Sequence, residues 1–180
     1  MQFNSIHFMM FFPVVIVVYF VAPRKCRMPW LLAASYYFYM SWNPRYVLLI
    51  LFSTIATWIC GILLERANQE KFFVSKRVIA AICLLTNLAI LVFFKYGNFT
   101  LETLDALAHI TGFSGGDVQM RIPYRLPVGI SFYTFQALGY TIDVYRGEIQ
   151  AERNLFRYAL FVAFFPQLVA GPIERSKNLL

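Results

Sequence analysis

The sequence predicts an all-α polytopic membrane protein, with about five or six transmembrane or re-entrant helices and one interfacial amphipathic helix. Three observations predict it. First, the 180-residue chain is 59% hydrophobic and 18% aromatic but only 14% charged, whereas an ordinary globular domain carries about 25% charged residues. Second, mean hydropathy is +0.60, and long uncharged apolar runs recur along the chain, more than one signal peptide can account for. Third, strand-like alternation is absent, and an open sheet would leave backbone groups unpaired in lipid. Disorder is excluded, because the composition is the reverse of its low-hydrophobicity, high-charge signature.

Six apolar stretches follow in order. Ile6–Ala22 carries no Lys, Arg, Asp or Glu and ends at Pro23-Arg24-Lys25. Trp30–Trp42 is short and aromatic (WLLAASYYFYMSW), and Asn43-Pro44 closes it. Tyr46–Leu64 is uncharged over 19 residues, and Val78–Phe94 has a single Asn87 near its centre. Leu126–Ile142 mixes apolar and small polar residues, and Tyr158–Ala170 is interrupted by Pro166. At about 1.5 Å per residue, 17 to 19 helical residues cover roughly 26–29 Å, close to the hydrocarbon thickness. The shorter two reach only about 20 Å, so they are short spans or re-entrant segments. Between the fourth and fifth stretches, Leu101, Leu104, Leu107 and Ala108 share one helical face, while Glu102, Asp105 and His109 share another. That pattern predicts an amphipathic helix at the interface, before the turn Ser114-Gly115-Gly116.

Net charge is +7, which in this composition reads as basic cytoplasmic loops rather than nucleic-acid binding. With the N-terminus outside, inner loops 23–29, 65–77 and 143–157 hold ten Lys+Arg, against four in 43–45 and 95–125. The bias predicts a multi-pass protein with its N-terminus on the outer, non-cytoplasmic side. Cys26, Cys60 and Cys83 form no CxxC pair or Cys/His cluster, so neither a metal site nor a disulfide framework is expected.

Candidate functional residues gather at 126–175. Read as a helix, Gly129, Tyr133, Gln136, Tyr140 and Asp143 recur at spacings of four, three, four and three and form one stripe. Polar residues on a membrane helix face the bundle interior or a water-filled cavity, where they line a substrate or ion path. Interhelical hydrogen bonding accounts for the same stripe, with Gly129 and Gly139 allowing close approach. Asp143 and Arg146 close the helix before Gly147, a residue suited to a C-terminal stop; the pair could grip a polar head group at the cytoplasmic mouth or form an exposed ion pair. Further on, Pro166 removes a backbone donor beside Gln167, and Gly171-Pro172 ends the helix, which reads as a gate or a simple proline kink. His7 and His109 stand at no spacing that assembles a catalytic relay.

LPVGISFYTFQALGYTIDVYRGEIQAERN (126–154) followed by FVAFFPQLVAGPIER (161–175) resembles the membrane-bound O-acyltransferase family. YYFYMSWNPRYVLLILFSTIATWICG (36–61) and FFKYGNF (93–99) resemble the corresponding stretches, so the likeness covers essentially the whole chain in order. The resemblance is strongest to members that acetylate an exopolysaccharide such as alginate. It implies an acyl group passed from a cytoplasmic donor, acetyl-CoA or another acyl donor, through a funnel in the bacterial inner membrane. A periplasmic acetyltransferase partner would then place it on a polysaccharide hydroxyl. On this reading Tyr133, Gln136, Tyr140 and Asp143 line the path and the Pro166 break frames it.

Family members are longer, and their catalytic histidine lies in a later helix, so the resemblance implies no catalytic residue before Leu180. It implies no resident cofactor or metal either. The chain is therefore expected to be the N-terminal portion of a single acyltransferase domain. The rival expectations are a non-catalytic scaffold subunit of a polysaccharide export or modification complex, an inactive fragment, or a small transporter. Inverted repeats would favour the transporter, and none is visible.

Overall fold

The computed structural model describes residues 5–41, 43–69, 75–110 and 129–170. Among them every regular element is helical: α1 (Ile6–Val21), α2 (Arg24–Met40), a 3₁₀ turn (Pro44–Tyr46), α3 (Val47–Asn68), α4 (Lys76–Ile110), α5 (Ile130–Arg146), α6 (Leu155–Ala163) and α7 (Phe165–Ala170). By length and apolarity Pro44–Asn68 and Lys76–Gly97 are able to cross a membrane, whereas Ile6–Val21 and Leu155–Gln167 are apolar but shorter.

Local chemistry sets the helix ends. Ser5 caps α1, its hydroxyl accepting from the Phe8 N–H. At the other end Arg27 donates from Nε to the Ala22 carbonyl at 3.1 Å and lies 5.3 Å over the Tyr19 ring. The basic run RKCR, expected as a loop, therefore forms the first turn of α2 and closes α1, where a cation suits the carbonyl end. Asn154 caps α6, its Oδ1 accepting from the N–H groups of Phe156 and Arg157. Gly147 ends α5 at φ +76, with the Glu148 N–H bonded back to the Asp143 carbonyl at 3.0 Å. This is the left-handed stop expected at that glycine.

Two expected boundaries move. The amphipathic segment around 101–109 is the continuation of α4, a single helix of 35 residues, and not a separate interfacial helix. The apolar run ends at Phe94, but the helix continues through Lys95 and Gly97, since one glycine costs a helix only about 1 kcal/mol. The Thr100 and Thr103 hydroxyls bond the carbonyls of Tyr96 and Phe99 within the unbroken helix. In the last stretch the break falls at Phe164 (ψ 111), ahead of Pro166. A proline ring clashes with the carbonyl four residues back in a continuing helix. Breaking upstream puts Pro166 in the first turn of α7, where its missing N–H is unneeded. The Phe165 N–H is taken by the buried Ser35 hydroxyl on α2 at 3.3 Å.

The core has two parts. Phe8 and Phe11 of α1, Phe38 of α2 and Phe165 of α7 form an aromatic cluster. The larger part joins α3, α4, α5 and α6 through Ile50, Leu64, Leu91, Tyr133, Tyr140, Val144 and Tyr158.

Candidate functional site

α3 presents Ser53, Thr57 and Gly61, small residues one helical turn apart, to its neighbours; this is the spacing that lets membrane helices approach closely. Ser53 Oγ donates to Oδ1 of Asn87 on α4, and Asn87 Nδ2 donates to the Cys83 carbonyl at 2.9 Å. Thr57 Oγ1 accepts from the Tyr158 hydroxyl at 2.8 Å, tying α6 to α3. At Gly61 the Tyr140 hydroxyl comes so close that a Cβ there would lie 2.7 Å from it.

Tyr140 therefore sits wedged. Its ring is 4.5 Å from that of Tyr158, and its hydroxyl accepts from the Glu152 N–H at 2.9 Å. The carbonyl of Glu152 accepts from Trp58 Nε1 at 2.8 Å, so the α5–α6 connection is held between α5 and α3. Asn68 Nδ2 bonds the Val144 carbonyl, Arg153 pairs with Glu65 at 3.5 Å, and Lys76 lies over the Tyr145 ring. These contacts bring segments 65–69 and 147–154, both expected on the inner side, to one end of the bundle.

The stripe expected on α5 does lie on one inward face: Tyr133 is 1%, Gln136 5% and Tyr140 0% exposed. Its two halves differ in partners. Toward the N-terminal end, Gln136 Oε1 accepts from Gln167 Nε2 of α7 at 3.1 Å, while its own Nε2 is buried with no partner. The Tyr133 hydroxyl is buried without a partner as well. Tyr39 of α2 meets the Tyr133 ring edge-on at 6.4 Å, and among the described residues neither its buried hydroxyl nor that of Tyr36 one turn before it forms a well-aligned hydrogen bond, Tyr133 and Thr54 being the nearest polar neighbours. Each such group costs about 1–3 kcal/mol if nothing bonds it. Toward the C-terminal end, Asp143 is half-buried and Arg146 is exposed, pairing with Glu148 at 3.7 Å. That pair lies about 15 Å along the axis from Gln136 and does not join the Tyr133 group. Pro166 and Gln167 stand beside it, through the bond to Gln136. Gly171 and Pro172 lie outside the described residues.

Sequence reasoning missed Tyr39, Tyr36 and the α3 stripe. The every-fourth spacing of Ser53, Thr57 and Gly61 was a readable signal; the two tyrosines were hidden in a uniformly aromatic run. His7 is exposed on α1, and the His109 side chain lies outside what is described. Among the described residues no three His, Cys, Asp or Glu gather as metal ligands. The arrangement around Tyr133 consists of neutral hydrogen-bond donors, which can hold and orient an acceptor.

Over 177 residues the chain is 37% identical to the probable alginate O-acetylase AlgI of Pseudomonas aeruginosa, covering 98% of this chain and 33% of that protein. It is 36% identical to the protein of the same name from Azotobacter vinelandii, with 98% and 34% covered. The peptidoglycan O-acetyltransferase of Helicobacter pylori is 27% identical over 201 residues, covering 94% of this chain and 36% of that one. No protein-family profile and no solved structure matches. The chain spans about a third of the length of the curated relatives it matches. The motifs at 36–61, 93–99, 126–154 and 161–175 thus belong to a likeness running along nearly all of it, and the chain is a homologue of these O-acetyltransferases.

Proposed function

We propose that this homologue of the bacterial O-acetyltransferases forms part of the helical wall along which an acetyl group crosses the inner membrane. In this reading a cytoplasmic donor, acetyl-CoA, delivers the group. A periplasmic partner enzyme receives it and O-acetylates an exopolysaccharide such as alginate. The similarity to alginate O-acetylases over 98% of the chain carries the proposal. The inward face of Tyr133 and Gln136 supports it, since buried polar groups on membrane helices mark paths for polar cargo.

In the proposed orientation the N-terminus is periplasmic, and the end bearing Arg66, Lys76, Arg146 and Arg153 is cytoplasmic, in keeping with the excess of basic residues in inner loops. Beyond the two candidate spans, α1, α2, α5 and the α6–α7 pair complete the five or six crossings or re-entrant segments, at short hydrophobic length.

Deleting the gene that encodes the chain, then measuring acetyl groups per sugar in the secreted polysaccharide, tests the reading. Acetylation should fall and return with a plasmid-borne copy; an unchanged acetyl content contradicts it. Orientation is checked separately with Ser75→Cys in a background lacking the native cysteines. An impermeant thiol reagent added from outside should leave it unlabelled, and ready labelling would invert the assignment.

A further inference from the structure

We propose that Tyr39, Tyr133 and Gln136 form a buried donor site for the carbonyl oxygen of an acyl ester or thioester. Three helices build it. Tyr39 comes from α2, Tyr133 and Gln136 from adjacent turns of α5, and Gln167 of α7 holds Gln136 by its Oε1 at 3.1 Å. Because that oxygen is engaged, the Gln136 amide has its Nε2 donors left to offer, and these have no partner. The hydroxyls of Tyr39 and Tyr133 face one another on rings that meet at 6.4 Å, and neither forms a well-aligned hydrogen bond among the described residues, so at least one hydroxyl proton is left to donate beside the Gln136 amide. All three side chains are more than nine-tenths buried.

The chemistry selects the ligand class. These side chains are neutral, so a buried carboxylate or phosphate on them would lack a counter-charge and pay a large desolvation cost. A neutral carbonyl oxygen fits better, since its two lone pairs accept from two donors at once. The neighbouring Tyr140 makes a contrast on the same face: its hydroxyl already has the Glu152 N–H and is not part of the site. The site rests on the acetyl-transfer reading, and it narrows that reading from a whole helix face to one end of it. Both a donor thioester and a membrane lipid ester carry the required carbonyl.

Isotope-edited infrared spectroscopy on the full chain separates these sources. In ether-linked lipid, which has no ester carbonyl, acetyl-CoA labelled with ¹³C at the acetyl carbonyl should give a bound band shifted to lower frequency. Tyr39→Phe and Tyr133→Phe, which keep the ring and its packing, should each remove part of that shift and raise the half-saturating concentration about fivefold, the effect of losing one hydrogen bond. In the second arm, ester lipid carrying ¹³C carbonyls and no thioester should show no component sensitive to either substitution. A lipid band that moves with those substitutions would overturn the thioester as occupant and leave the lipid ester as the ligand. A thioester band at its free-solution position, or one indifferent to both substitutions, means that the hydroxyls hold only water and overturns the site. If acetylation still depends on the gene in that case, the site alone fails; if it does not, the reading beneath it fails as well.

Discussion

Tyr133 and Tyr140 occupy the same face of α5, about 10 Å apart along its axis, and both are fully buried, yet only one hydroxyl has a partner. Tyr140 is pressed against Gly61 and Tyr158 and accepts from the Glu152 N–H. Tyr133 faces Tyr39, and its hydroxyl forms no well-aligned hydrogen bond among the described residues. Burial and residue type therefore do not tell these two tyrosines apart; the satisfaction of their hydrogen bonds does. The C-terminal half of α5 is fastened to α3 and α6, whereas the N-terminal half carries donors that the described part of the fold leaves open.

Substitutions sharpen this contrast. The largest effect on stability is expected from Gly61→Ala, which drives a methyl group into a ring that Tyr158 and Glu152 already hold. Overpacking of this kind costs about 2 kcal/mol, readable as a lowered midpoint of thermal unfolding in micelles. Next comes Asn87→Leu, which keeps the number and branching of side-chain heavy atoms but removes the link to Ser53. A loss near 0.6 kcal/mol is expected, the usual size of an interhelical hydrogen bond in a membrane protein. Arg146→Ala should move stability by less than about 0.5 kcal/mol, because its pairing with Glu148 is exposed on both sides. If Arg146→Ala costs as much as Gly61→Ala, the fastened region extends beyond the end of α5.

The helical class, the basic segments brought to one end, the stop at Gly147 and the inward stripe were legible because each depends on local pattern: apolar length, charge placement, a glycine's free φ and a 3.6-residue period. The division of the stripe was not legible. It depends on which helices lie opposite Tyr133 and Tyr140, and α2 and α3, which supply Tyr39 and Gly61, are distant in sequence from α5. The continuity of α4 escaped for a different reason, since the end of an apolar run at Phe94 need not end the helix, and the glycine at 97 costs it only about 1 kcal/mol. The break at Phe164 shows that a proline marks the neighbourhood of a break more reliably than its residue.

The most direct test compares the thermal unfolding of Tyr140→Phe and Tyr133→Phe in the same micelles. Tyr140→Phe strands the Glu152 N–H and should lose about 1 kcal/mol. Tyr133→Phe removes a hydroxyl without a well-aligned hydrogen bond among the described residues and should lose little or none, or gain slightly. Equal losses from the two substitutions would contradict the division of α5 into a fastened half and an open one.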